Sequence, residues 1–360
     1  MDMNVFFLFK NFNLNKCGIS DYIENLSHEF HKSNIKPIIL SDIKIKSKLI
    51  KKIYTVYIPW NLFKIIKYFK KNNKGIFFLQ YSPFSYSKSG FSFTLILLLF
   101  YLYLFKKNIK IVVNFHEIRN KFSINPKYFL LFLLHTVQFY LIYLLSKNIY
   151  YTNNEFIYDL PILKNQKCSF QEIFPNISQN KLVKKTNQII FFCSHYNFLN
   201  YYIFLNYIKN YQFVTKNKFK IMFIGNVNSN IQSKIISLIG SLDIKNFELK
   251  FFSSKEDFSK QLSISKAVFV TNGYNFKINS GLLVAALVSK NVFFFLKKPK
   301  ENKYLNKIFF TVDNQHSFNK IINYVLQNKK INFVKKIYTI KFNVKLISKI
   351  FIKKFKFLIK

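Results

Sequence analysis

"NKCGISDYIENLSHEF", residues Asn15 to Phe30, passes through a glycine into a helical pattern only a few residues after the apolar start "MNVFFLF". Tyr22, Ile23, Leu26 and Phe30 recur at helical spacing and give the segment one apolar face. Ser20 or Asp21 is placed to act as N-cap, with Glu24 in the first turn. A strand, a glycine turn and a helix at the head of the chain are the opening of a βαβ unit.

Working outward, the same rhythm continues. "KPIILS" reads as the second strand and "IYTVYI" as the third; a lysine-rich amphipathic helix is expected from Asn61 to Lys71. The strand "GIFFLQY", an apolar helix and the strand "IKIVVNFHE" follow. The second half repeats the pattern with "NQIIFFCS" as a strand, Asn200 to Lys209 as a helix and "FKIMFIGNV" and "KNFELKFF" as strands. The helix "KEDFSKQLSIS", the strand "KAVFVTNGY", the helix "SGLLVAALVSK" and the strand "NVFFFL" complete it. The fold class expected is α/β, with two Rossmann-like, doubly wound parallel domains facing a cleft. "QEIFPNISQNKLVKKTNQ" has no clear periodicity and holds Pro175, which places the boundary there. The expected division is 1–175, a linker at 176–187, a second domain at 188–335 and a basic tail at 336–360. That tail reads either as a last helix packing back on the protein or as a basic amphipathic membrane contact.

Composition narrows the function. The net charge is +41, yet Arg119 is the only arginine among 56 basic residues, and the lysine keeps company with heavy Asn, Ile, Phe and Tyr use. That is the drift of A/T-rich codons. It argues against nucleic acid as a partner, because base readout and bidentate phosphate clamping lean on arginine. Anionic lipid would still attract such a surface. Three widely spaced cysteines, Cys17, Cys168 and Cys193, match no metal-ligand pattern and fit a reducing compartment, and no metal is expected. The short apolar N-terminal run lacks a cleavage site and reads as a strand, which suggests a cytoplasmic protein. Phe93 to Phe105 is too short to span a bilayer, and Tyr128 to Leu145 reaches the threshold but is interrupted by His135, Thr136 and Gln138. Buried or interfacial helices are expected there, with membrane-inserted helices within 93–145 as the alternative.

Five stretches carry a resemblance. "CGISDYIENLSHEF" followed by "IKPIILS", "FFLQYSPFSYSKSGFSFTLILLL", "VVNFHEI", "IFPNIS" and "VTNGYNFKINSGLLVAALVSKNVFFF" occur, in this order, in a chain that resembles the retaining glycosyltransferases of family four. The resemblance covers about residues 4 to 330. It implies the GT-B fold, a nucleotide-sugar donor held chiefly by the C-terminal domain, and a glycan or lipid-linked acceptor held chiefly by the N-terminal one. The nucleotide sugar is a co-substrate, and no further cofactor is implied. Transfer requires that the leaving diphosphate be stabilised and the acceptor hydroxyl be held against the anomeric carbon.

On this resemblance His116 and Glu117, at the end of a central strand, are the candidate catalytic residues. Open α/β sheets place ligands at such strand ends. Gln80, Tyr81 and Asp21 are candidate acceptor contacts, with loop anchoring and helix capping as the rival roles. Gly18, Gly225, Lys277, Ser280 and Gly281 are candidate donor contacts, at turns and helix N-termini that suit anions. The chain departs from the family in the loop that holds His195, where Cys193 stands at a glycine position and the basic position falls near Leu199 or Asn200, and where Lys277 and Ala285 align with two glutamates. These departures support an alternative reading, a catalytically inactive relative that acts as a partner protein. The expected place of work is the cytoplasm, peripheral at the inner face of the membrane, in cell-surface polysaccharide biosynthesis.

Overall fold

The computed structural model describes residues 3–10, 18–43, 54–119, 122–153, 156–171, 185–193, 196–215, 219–225, 227–244, 246–251, 255–270, 285–286, 289, 291–296, 309–326 and 344–359. The chain divides into two compact units, one formed by Met1–Phe174 with Asn343–Lys360, the other by Pro175–Phe342.

The first unit runs β1 (Met3–Leu8), α1 (Gly18–Lys32), β2 (Ile35–Ser41), β3 (Tyr54–Tyr57), α2 (Leu62–Lys71), β4 (Gly75–Tyr81), α3 (Phe93–Phe105), β5 (Ile109–Phe115), α4 (Pro126–Leu145), β6 (Asn148–Tyr151), the short α5 (Phe156–Asp159) and β7 (Cys168–Phe170). Its sheet has the order β3-β2-β1-β4-β5-β6-β7 and every pairing is parallel. Strand order reverses between β1 and β4. Right-handed crossovers therefore place α1 on one face of the sheet and α2, α3 and α4 side by side on the other. Central strands covered on both faces need continuous apolar sequence. β4, "GIFFLQY", is buried at every position. Its first residue, Gly75, adopts φ 145°, and a Cβ there would lie 2.4 Å from the backbone oxygen of Asn4 on β1. Only glycine fits that approach.

The second unit runs β8 (Thr186–Phe192), α6 (Phe198–Thr215), β9 (Lys220–Ile224), α7 (Ser229–Ser241), β10 (Phe247–Lys250), α8 (Lys255–Ile264), β11 (Ser265–Val270), β12 (Val292–Phe295), β13 (Phe309–Thr311) and α9 (Gln315–Leu326). Its parallel sheet has the order β10-β9-β8-β11-β12-β13, with the reversal between β8 and β11. Phe191, Phe204 and Phe269 meet at its centre, the last two stacked with centroids 4.0 Å apart.

Several elements differ from the sequence reading. The first helix begins at Gly18, so Ser20 and Asp21 lie in its first turn and not at its cap, where Asp21 still suits the helix dipole. α7 was not foreseen. The segment at 336–360 contributes α10 (Val344–Ile359), which packs on the first unit. Phe351 and Phe355 are fully buried there, each 5.1 Å from Phe78, and Phe351 meets Tyr150 at 4.7 Å. Phe355 also meets Phe30 of α1, so α10 completes the α1 face of the sheet.

Candidate active site

The reversal between β1 and β4 puts the ends of three strands next to a loop that returns over them. Register pairs Gln80 with Asn114 and Tyr81 with Phe115. Alternation along β5 then sends Asn114 and the following His116 to the same side as Gln80. The three side chains meet: Gln80 Oε1 accepts from Asn114 Nδ2 at 3.0 Å and lies 2.9 Å from His116 Nε2. Asn114 Nδ2 lies 3.4 Å from the same ring nitrogen, so both amide side chains face His116 Nε2. Tyr22 of α1 presents its ring edge-to-face to His116 at 5.2 Å. Burial pushes the His116 pKa down from 6.5 to about 4, so the ring is neutral near pH 7. Burial likewise raises the Tyr22 phenol.

The cluster is costly to maintain. Gln80 and Asn114 are fully buried, yet Gln80 Nε2 and Asn114 Oδ1 have no hydrogen-bond partner. Each such atom costs about 1–3 kcal/mol. Unpaired buried polar atoms concentrated at the end of a parallel sheet call for a functional explanation.

The surrounding loops are fixed by their own bonds. The backbone N–H of His116 donates to Tyr81 O at 2.9 Å, and the Ser82 hydroxyl donates to Glu117 at 2.7 Å. Glu117 is exposed. The Tyr86 hydroxyl lies within hydrogen-bond distance of both Leu8 O and Gln80 O, joining the ends of β1 and β4. Tyr81 is fully buried, and its hydroxyl accepts from Gln138 Nε2 of α4 at 2.6 Å. Gln138 also donates to Gly90 O and accepts from Ser92 N. Tyr81 thus holds α4 and the Gly90 loop, the anchoring role, and its hydroxyl does not reach the surface. Asp21 is nearly buried in α1, and Gly18 is exposed at the first position of that helix.

In the second unit Gly225 follows β9 directly with φ 142°, a conformation reserved for glycine, and donates to Lys250 O. Cys193 at the end of β8 is buried and its thiol is pushed up to about 12, which makes it inert near neutrality. His195, Lys277, Ser280 and Gly281 lie outside the described residues. Among the described residues, no three His, Cys, Asp or Glu side chains come together as a metal site would require. Arg119 is engaged internally, donating to Thr136 Oγ1 and Asp159 O with its guanidinium over Phe132.

Of the candidates, the structure brings together Gln80, His116 and, through Ser82, Glu117. Sequence reasoning missed Asn114, Tyr22 and Ser82. Asn114 had a signal: it is a polar residue inside the apolar run "IVVNF", two positions from His116. Tyr22 had none, since at its helical position it counts as core.

No protein-family model matches the sequence, and no curated protein matches it. Solved structures do. Anabaena HepE in complex with UDP and glucose shares 11% identity and superposes with a TM-score of 0.63, over 98% of this chain and 99% of that one. The lipopolysaccharide outer core galactosyltransferase WaaB shares 12% identity with a TM-score of 0.60, over 98% of each chain. The UDP-GlcNAc 2-epimerase from Neisseria meningitidis bound to UDP-GlcNAc shares 13% identity with a TM-score of 0.59, over 98% of this chain and 99% of that one. Likeness at this identity shows the fold alone, and over nearly the whole chain that fold is GT-B, built here from two parallel-sheet units.

Proposed function

We propose that the protein is a glycosyltransferase that moves a sugar from a nucleotide-sugar donor to a glycan or lipid-linked acceptor, working at the inner face of the membrane. The observation that carries this reading is the cluster at the C-terminal end of β4 and β5, where the buried Gln80 and Asn114 hold a half-buried His116 and where an open α/β sheet receives its ligand. Support for the donor class comes from solved structures of this fold with UDP or UDP-GlcNAc bound. A retaining outcome and a role in polysaccharide biosynthesis follow from the resemblance to family four.

In this reading His116 positions substrate and does not abstract a proton. A pKa of about 4 makes it a weak base at neutral pH, while a neutral imidazole offers one donor and one acceptor to sugar hydroxyls. Gln80 and Asn114 hold the ring through Nε2. Glu117, exposed and oriented by Ser82, is the residue beside it able to carry charge. Gly225 shapes the turn after β9 on the donor side. The diphosphate seat is assigned by the resemblance to Lys277, Ser280 and Gly281.

The test is a thermal-shift panel of nucleotides and nucleotide sugars, followed by product analysis with and without acceptor. Selective stabilisation by one nucleoside diphosphate, with acceptor-dependent turnover lost in His116→Ala, is the expected result. Conversion of the sugar at C2 without acceptor would instead make the protein an epimerase, the activity of one structure it resembles. Folded protein with no shift would favour the inactive-relative reading.

A further inference from the structure

α3 and α4 pack against the sheet on one side and leave apolar residues on the other, where a soluble helix carries polar ones. On α3 the outward stripe is Phe93, Leu97, Phe100 and Leu104, all exposed, with Phe93 at 67%. On α4 it is Leu130, Leu133, Val137, Tyr140 and Leu144, again all exposed, with Leu144 at 66%. The turn leading into α4 adds Phe122 and Ile124, the latter 91% exposed. The two helices are neighbours, so the stripes adjoin. Contiguous apolar surface of this kind marks a contact site.

Charge identifies the occupant. From Ile43 to Asn154, which spans α2, α3 and α4, Glu117 is the only acidic residue. Lys64, Lys67, Lys70 and Lys71 stand exposed along α2, next to α3; Lys107 lies just beyond the end of α3 and Lys127 in the first turn of α4. A second copy of the chain would bring the same lysines face to face with no acids to pair them, since a two-fold interface is self-complementary. An anionic lipid surface satisfies both the lysines and the apolar stripes. Exposed Tyr103, Tyr128 and Tyr140 suit the headgroup level.

Geometry sets the depth. α4 is long and apolar enough to cross a bilayer. It connects β5 to β6, which pair in parallel, and Phe139, Ile142 and Tyr143 are buried in the core. The helix cannot cross while the sheet persists. We propose that the outer faces of α3 and α4, flanked by the lysines of α2, form a docking surface for an anionic membrane. This rests on the proposed membrane-side function for its purpose, while its test is independent of turnover.

The experiment is co-sedimentation of the full chain with vesicles of phosphatidylcholine, with and without phosphatidylglycerol, alongside variants checked for native circular dichroism and melting. Binding to the anionic vesicles is expected, weakened at least tenfold by Leu130→Glu with Leu133→Glu, and by Lys67→Glu with Lys70→Glu. Lys234→Glu, an exposed lysine of the second unit, should leave it unchanged. Equal binding by all variants would overturn the proposal. So would loss only with Lys349→Glu and Lys353→Glu on α10, which lies on the opposite sheet face. Concentration-dependent dimers abolished by the leucine variants, without vesicle binding, would assign the face to a second copy and overturn it too. If vesicles bind but no nucleotide sugar stabilises the protein, the docking surface stands and the enzymatic reading fails.

Discussion

His116 offers a direct measure of how the candidate site is held. In the folded chain its pKa is about 4, against an ordinary 6.5, because burial penalises the imidazolium. The unfolded chain therefore binds the extra proton between those two values, and stability must fall as pH drops through that window. Each pH unit of separation is worth about 1.4 kcal/mol, so going from pH 7.5 to pH 4.5 costs about 2.5 kcal/mol through this one group. His28 and His135 are also lowered by burial, and paired carboxylates add their own dependence. Comparison of wild type with His116→Gln isolates the single residue. Unfolding in urea is best followed by tryptophan fluorescence, because Trp60 is the only tryptophan, and it lies 5.7 Å from Tyr86, which bonds the end of β4. The signal reports on the first unit alone. Wild type should lose about 2.5 kcal/mol more than the variant over that pH range. Equal losses in the two proteins would show that His116 is not held neutral, and the positioning role argued for it would fall with that result.

Three other perturbations test the packing that supports the site. Phe351→Ala removes a fully buried ring from among Phe78, Tyr150 and Phe355, and should cost about 3–5 kcal/mol in the stability of the first unit, measured by the same fluorescence transition. Gly75→Ala forces a Cβ against the Asn4 backbone at a positive φ and should cost about 3 kcal/mol, visible as a lowered melting temperature. Gln138→Leu leaves the buried N–H of Ser92 without its acceptor and the Tyr81 hydroxyl without its donor. It should cost about 2 kcal/mol and speed hydrogen exchange in the Gly90 loop.

The βαβ rhythm was legible because buried parallel strands are written as unbroken apolar runs, and nearly every run proposed from the sequence is a strand in the structure. The order of those strands was not, since periodicity carries no record of which neighbour a strand chooses. α7 was hidden by its composition, "SNIQSKIISLIGS", whose serines and glycine weaken the helical pattern while Ile235, Leu238 and Ile239 still form a buried face. At the site, His116 and Gln80 could be singled out from strand ends. Their mutual contact depended on register, which pairs residues far apart in sequence. Tyr81 shows the converse: adjacency to Gln80 suggested a shared role, but alternation along the strand turns it the other way, into the core with Gln138.

The packing of α10 on the first sheet has a bearing on how the chain comes to be made. Residues 344–359 emerge from the ribosome after the entire second unit, so the sheet synthesised first is completed by the helix synthesised late. At ordinary elongation rates the delay is roughly 10–30 s. Throughout that interval Phe30, Phe78 and Tyr150 have no cover on the α10 side. The nascent chain is then a candidate client for a chaperone that binds aromatic surface, and the second unit can reach its fold before the first.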